Sequence, residues 1–270
     1  MRLPAWLAHH VAALRALLVL TVLVGLAYPL ALTAIGRIPG LQHRADGSLI
    51  TVAGRPVGSS LIGQVFTDVR YFHGRPSAAG KDGYDPTATA ASNLGPEDVV
   101  DTPDRKSLLT QVCSRSLAIG KLEGVDGSRS YCTADGIGAV LEVFRRDGLT
   151  GPITKVLSVN GPPFLAEYQG VPVTAGHGAV PGGVIVPIRG NAPAHPAVPA
   201  DAVTASGSGL DPDISVAYAN LQAPRIARER GLTLDRVHEL IGAHTDGRAL
   251  GFMGEPGVNV LELNLALDGH

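Results

Sequence analysis

"ALLVLTVLVGLAYPLALTAI", residues 16–35, holds no charged side chain. At a helical rise of ~1.5 Å per residue such a run is about 30 Å long, the thickness of a bilayer's hydrocarbon core. A cleaved secretory signal is the competing reading, but its apolar core is ordinarily only ~7–15 residues. This run is longer, and Pro29 stands where a cleavage site would be awkward. The expectation is a retained transmembrane helix over residues 13–36, preceded by a short N-terminal segment, 1–12. Pro29 lies near one end of the span, where a lost backbone hydrogen bond is easiest to tolerate.

The flanks set the orientation. Arg2 and Arg15 precede the run, with two histidines and no acid, and Arg37 and Arg44 follow it. The basic count is tied, but a short leader ahead of a large domain normally translocates the domain. The chain is therefore expected to be a single-pass protein of the cell (plasma) membrane. Its N-terminus would be cytoplasmic and residues 37–270 extracytoplasmic. With 22 basic residues against 24 acidic ones, the chain lacks the electrostatic footprint of a nucleic-acid binder.

Beyond the span, "GSLITVAGRPVGSSLIG" (47–63) alternates around a central Gly-Arg and reads as a short hairpin. Residues 71–96 are rich in Gly, Pro, Ser and Asn, a long loop of the kind that often carries function. Region 97–197 has strand-like runs such as "GAVLEVFRRDG" and "GVIVPIRG", fenced by Pro/Gly-rich pieces. It reads as an inserted, mostly β subdomain within an outer domain made of 37–96 and 198–270. Cys113 and Cys132 both fall in it. Outside the membrane they can form a disulfide, the favoured reading; two unpaired buried thiols are the alternative. The fold class is thus α+β, a single N-terminal transmembrane helix followed by an extracytoplasmic α+β domain with a mostly β insert.

In the last third, Asp211 is a good N-cap, Pro212 fits a first helical position, and Ile214, Ala217, Tyr218 and Leu221 fall on one face. Pro224 should kink or interrupt this helix and Gly231 should end it. Thr233 opens a second helix that Gly247 stops. Asn259 opens a third, with Glu262 completing a capping box.

Chemistry-bearing motifs are missing. The two Gly-Lys pairs, at 80–81 and 120–121, lack the rest of a phosphate-binding P-loop. Ser208 lies in Ser-Gly-Ser-Gly-Leu rather than a G-x-S-x-G elbow, and neither H-E-x-x-H nor C-x-x-C occurs. Two function classes remain: an accessory subunit of a membrane machine, or a free-standing, membrane-tethered binding domain.

Seven stretches, in order, resemble the KdpC family, the small subunits of the Kdp potassium-transporting P-type ATPase. They are "GLAYPL" (25–30), "GSSLIGQ" (58–64), "YFHGRPSA" (71–78), "ASNLGP" (91–96), "VTASGSGLDPDIS" (203–215), "PRIARERGL" (224–232) and "LGFMGEPGVNVLELNLALD" (250–268). Region 97–197 departs from the pattern, being longer than the usual family linker. The resemblance implies three partners: a potassium-channel-like subunit, an ATP-hydrolysing P-type subunit and a small single-span subunit. It implies no catalysis and no tightly bound cofactor in this chain, with ATP met only through the complex. It also implies a catalytic chaperone that raises the ATP affinity of the hydrolysing subunit. Ser206, Gly207, Ser208, Gly209 and Gln222 would be its nucleotide contacts.

The residues themselves also allow a structural reading of that loop. An extracytoplasmic domain does not meet cytoplasmic ATP, and Asp211 would repel a phosphate. Ser206–Gly209 would then be a tight strand-to-helix turn, with Asp211 capping the helix that follows. Tyr71, Phe72, Arg75 and Asn93 are candidate partner contacts, internal loop packing being their alternative role.

Overall fold

The hydrophobic helix starts well before residue 13. In the computed structural model, which describes residues 4–176 and 178–269, it runs from Ala5 to Gly36, 32 residues of mean hydropathy up to 2.3 with none of its most apolar stretch buried. By length and composition it can cross a membrane. It comprises α1 (Ala5–Val22), one π-helical turn (Leu23–Ala27) and α2 (Tyr28–Gly36). Pro29 explains the π turn. It brings no N–H for the Gly25 carbonyl, and the ladder widens just before it, with the Tyr28 N–H reaching Leu23 O. The Thr33 hydroxyl donates to Pro29 O at 2.9 Å.

The chain divides into two compact units, Met1–Leu61 and Ile62–His270. After α2, the first holds the short α3 (Gln42–Ala45) and the hairpin of β1 (Leu49–Val52) and β2 (Arg55–Ser59). Ala53 and Gly54, at φ 50° and 77°, form the two-residue turn whose twist suits a hairpin.

In the second unit, residues 62–107 contain no helix or strand longer than a bend or turn. Then follow α4 (Leu108–Glu123), β3 (Val140–Asp147), β4 (Thr150–Ser158), β5 (Glu167–Tyr168), β6 (Val171–Ala175) and β7 (Val184–Pro187). The chain closes with α5 (Ala200–Val203), β8 (Asp213–Ser215), α6 (Val216–Arg230), α7 (Leu234–Ala243), β9 (Thr245–Asp246), β10 (Gly257–Asn259) and α8 (Val260–Leu267).

Two sheets organise this unit. The five-stranded one runs β5-β6-β4-β3-β7, antiparallel except where β4 meets β6. Strand alternation sends Leu141, Val143 and Val156 to one face and Val140 and Leu157 to the other. The three-stranded antiparallel sheet, β8-β10-β9, lies in the main core with α6, α7 and α8, around Phe72, Ile214, Tyr218, Ile226, Val237, Ile241, Val258 and Leu263. Each such side chain contributes about 1.5–3 kcal/mol on burial.

Helix α4 is absent from the sequence-based expectation for 97–197. Ser107 caps it, its hydroxyl accepting from the Thr110 N–H, and Gly124 ends it at φ 71°. Its Val112 and Ile119 pack on the main core, while Leu109 packs against Val140 and Leu157. It therefore ties the larger sheet to the family of C-terminal helices. Gly120 is required by the returning loop: a Cβ there would stand 2.6 Å from the Gly127 backbone.

Three local expectations are corrected. Residues 213–215 are strand, and α6 starts at Val216 with Ser215 as its cap, so Asp211 caps no helix. The buried face of α6 consequently shifts to Tyr218, Ala219, Gln222, Ala223, Arg225 and Ile226, and Ala217 is exposed. Pro224 does not interrupt α6. It and Asn220, whose carbonyl it deprives of a partner, both face solvent, so water can serve that carbonyl. Helix α7 ends at Ala243 rather than Gly247, because Thr245 and Asp246 pair with β10. Gly231, Thr233 and Asn259 act as expected: Gly231 ends α6 at φ 63°, and the Thr233 and Asn259 side chains accept from the Arg236 and Glu262 N–H groups.

Candidate functional site

The Ser/Gly loop of residues 206–211 is sewn to the long loop before it. Ser206 is buried and its hydroxyl accepts from the Gly209 N–H at 2.9 Å. The exposed Ser208 takes the Leu210 N–H on its own Oγ at 3.1 Å. Its carbonyl accepts from Ala90 N and from Thr89 Oγ1, at 3.1 and 2.7 Å. The Ser77 hydroxyl donates to Gly209 O at 2.6 Å, and Gly63 N to Leu210 O at 2.8 Å. Gly209 sits at φ 69°, where a Cβ would press on Ala90 O and Ala79 at 2.7–2.8 Å. Only glycine fits both the conformation and the approach. Gly207, by contrast, has open space around it.

Asp211 spends its carboxylate inside the domain. One oxygen accepts from the Asp213 N–H at 3.1 Å and the other pairs with Arg75 Nη1 at 2.7 Å. Tyr84 closes this corner, its hydroxyl donating to Arg75 O at 2.9 Å. Burial first, then the Asp211 charge, pushes the Tyr84 phenol up to about 12. Asp213 is pushed up to about 6, first by burial and then by the carboxylates of Asp211, Asp246 and Glu262.

Below this corner, side chains of α6 and α8 take five consecutive carbonyls, 69 to 73. Arg225 Nη1 donates to Val69 O and to Tyr71 O, the latter at 3.0 Å. Arg230 Nε donates to Arg70 O at 2.8 Å. Asn264 grips Phe72, accepting its N–H at 2.8 Å and donating to its carbonyl at 3.0 Å. Gln222 does the same to His73, at 2.8 and 3.1 Å. Each amide stands in for a neighbouring strand, which is how a buried loop satisfies its backbone. Arg225 is buried and ion-paired with Glu123 of α4 at 3.0 Å, while its Nη2 donates to Gln222 Oε1 at 2.8 Å. Burial raises the Glu123 carboxyl, against the lowering pull of Arg225.

The sequence-derived candidates therefore sort by burial. Gln222, fully buried with its amide engaged by His73 and Arg225, presents nothing to solvent. Phe72 is also fully buried, part of the main core, and so is no surface contact in this structure. Tyr71 is half-buried beneath the Arg230 guanidinium, 4.5 Å from its ring, and its hydroxyl donates to Asp268 at 2.8 Å. Arg75 is committed to Asp211. Asn93 is exposed at φ 53°, a conformation asparagine tolerates. Cys113 and Cys132 are joined in a disulfide, with Cα atoms 5.4 Å apart, linking α4 to the turn before β3.

Arg225, Glu123 and Asn264 were not among the sequence-derived candidates. Asn264 does carry a signal, as a lone amide inside the apolar run "VLELNLAL". Arg225 follows Gln222 by three positions on one helical face. Among the described residues no group of three or more His, Cys, Asp and Glu side chains could hold a metal. An apolar groove of about 510 Å³, lined by Val99, Leu108, Leu109, Val112, Tyr131 and Pro187 among others, lies apart from the 203–215 loop, none of whose residues line it.

With this geometry in hand, comparison with known proteins is informative. The profile of the KdpC family, described as "K+-transporting ATPase, c chain", matches residues 10–113 and 187–269. Three relatives named potassium-transporting ATPase KdpC subunit are similar over nearly the whole chain. That of Kineococcus radiotolerans is 40% identical over 251 residues, 93% of this chain and 88% of its own. That of Mycobacterium bovis (strain BCG / Pasteur 1173P2) is 38% identical over 256 residues, 95% of each. That of Sorangium cellulosum is 40% identical over 263 residues, 97% of this chain and 98% of its own. The stretch 114–186 thus falls outside the family profile, yet these alignments span nearly the full length of both partners.

Proposed function

Because the chain belongs to the KdpC family, we propose that it is a non-catalytic accessory subunit of a high-affinity, ATP-driven potassium uptake complex, which it assembles and stabilises. Its partners in this reading are the potassium-channel-like subunit, the ATP-hydrolysing P-type subunit and the small single-span subunit. The helix Ala5–Gly36 anchors it in the plasma membrane, with the N-terminus cytoplasmic and the bulk outside. The Cys113–Cys132 disulfide supports that side, since such bonds persist in oxidising surroundings. We read 97–197 as an elaboration of the extracytoplasmic domain.

One observation carries the mechanical character of this role. The Ser206 and Asp211 side chains and the carbonyls of 208–210 and 69–73 are spent on closing the domain on itself, which makes a stiff body suited to bracing a partner. We further propose that any gain in the ATP affinity of the hydrolysing subunit is transmitted through assembly. Direct contact by Ser206–Gly209 and Gln222 is disfavoured by the engagement of Ser206, Gly209 and Gln222 inside the fold.

The test is ATPase activity of purified complex against ATP concentration, beside a melting curve of the full chain. Ser208→Ala is expected to leave the KM for ATP within about twofold and the melt unchanged. A KM raised about fivefold or more with an unchanged melt would falsify the mechanical reading in favour of nucleotide contact. Affinity purification through the ATP-hydrolysing subunit tests assembly itself. Recovery of the chain alone, without the pump subunits, would identify a free-standing tethered binding domain.

A further inference from the structure

The segment between β9 and β10 builds an apolar tip. Ala249 and Met253 exchange backbone hydrogen bonds, both at 2.9 Å, which closes a tight loop over Leu250, Gly251 and Phe252. Leu250 and Gly251 take positive φ, 53° and 81°, and Arg248 pairs with Glu255 at 2.6 Å at the loop's base. The result is that Leu250, Phe252 and Met253 stand out to solvent at 83%, 71% and 52% exposure. The apex, 249–253, carries no charge. Burying these side chains inside the domain would have been the ordinary use of a Leu, a Phe and a Met, and a closed loop that holds them outward is an interaction feature.

We propose that this tip is an anchor that docks into an apolar socket, with a polar rim, on a membrane subunit of the transport complex. The inference rests on the accessory-subunit reading and names the surface that reading requires. Two observations select that occupant. First, the tip lies in the part of the chain that the family profile matches, 187–269, whereas the comparably exposed Leu149, at the β3–β4 turn, lies outside the match. A surface for a partner shared across the family belongs in the shared part. Second, three side chains of this kind offer roughly 300–400 Å² of apolar area, well short of the ~800 Å² per partner that a stable free association needs. A second copy of the chain meeting tip to tip gains too little. A partner already held in the same membrane needs little more than this, because confinement raises its effective concentration. The Arg248–Glu255 pair then sits at the rim, where charges set register more than affinity.

The experiment uses the full chain co-expressed with the other subunits and purified through a tag on the ATP-hydrolysing one. The double variant Leu250→Ser, Phe252→Ser is expected to lose about tenfold or more of its co-purification, while its membrane content and melting curve match the unaltered chain. Undiminished recovery of the variant beside normal recovery of the unaltered chain overturns the docking site and leaves the accessory-subunit reading standing. Failure of the unaltered chain to co-purify overturns both. A second readout distinguishes occupants. The chain's one tryptophan, Trp6, is replaced in Trp6→Phe, and Phe252→Trp places a reporter in the tip. Its emission is expected to shift to shorter wavelength only when the partner subunits are added. The same shift in lipid nanodiscs lacking those subunits would assign the tip to the bilayer surface. A shift that depends on the chain's own concentration in detergent would assign it to a second copy. Either overturns the proposal.

Discussion

Residues 69–90 and 248–255 are both irregular loops, and they are built on opposite principles. The first lies against α6 and α8 with its consecutive carbonyls taken by Arg225, Arg230, Asn264 and Gln222, and with Phe72 sunk in the core. The second bonds mainly to itself and displays its apolar side chains to water. The contrast teaches where this molecule keeps its structure and where it offers contact. Buried polar groups that pair with one another over-determine one arrangement. Exposed apolar groups on a closed loop contribute little to folding and much to whatever covers them.

The comparison breaks most visibly at Arg225. Arg225→Met leaves the Glu123 carboxylate buried without its cation and strips partners from Val69 O, Tyr71 O and Gln222. A loss of about 3–5 kcal/mol is expected, read as a large fall in the unfolding midpoint of the full chain. A change within the noise of the measurement would mean that the 69–73 segment is held by its apolar contacts alone. Gln222→Leu is milder. It orphans the backbone of His73 and should cost about 1–3 kcal/mol by the same measurement.

Asp213 sharpens the contrast between the two loops, because it feels Asp211 on the side of the clamped loop and Asp246 at the entrance to the tip. Its carboxyl, raised from 3.8 to about 6, favours the folded state when protonated. That contribution is whole below its unfolded value and is lost as pH rises through about 6. Asp213→Asn should therefore stabilise the chain at pH 7.5, by about 1–2 kcal/mol once solvent screening of a half-exposed group is allowed for, and not at pH 4. Melting curves of both proteins at the two pH values decide it. An equal gain at both would show that removing the charge is not what matters.

Much of the C-terminal third was legible because its signals are local. The αL glycine at 231, the hydroxyl cap at Thr233 and the Asn259 cap each act within three or four residues of themselves. The hairpin at 49–59 was legible for the same reason. The start of α6 was misread since Asp211-Pro212-Asp213 imitates a helix start so well, and the rival outcome, pairing of 213–215 with 257–259, depends on residues more than forty positions away. Helix α4 was missed because its "LLTQVCSRSLAIGKLE" mixes Ser, Thr, Cys and Gly into a weak pattern that two separate cores complete.

The sequence alone determined what depends on composition and short-range order: an uncharged run long enough for a bilayer, the helix signals at Gly231, Thr233 and Asn259, the 49–59 hairpin, and the seven ordered stretches that place the chain in its family. Tertiary structure alone decided the fate of the polar residues. Nothing near Gln222, Arg225 or Asn264 in the chain says that they will hold residues 69–73 from about 150 to 190 positions away, as the separations of 149, 154 and 192 attest. A helix propensity is a property of neighbours, whereas the cost of burying an unpaired amide or guanidinium is met only by whatever the fold brings beside it. The same holds in reverse for Leu250, Phe252 and Met253, apolar side chains that the closed loop leaves outside.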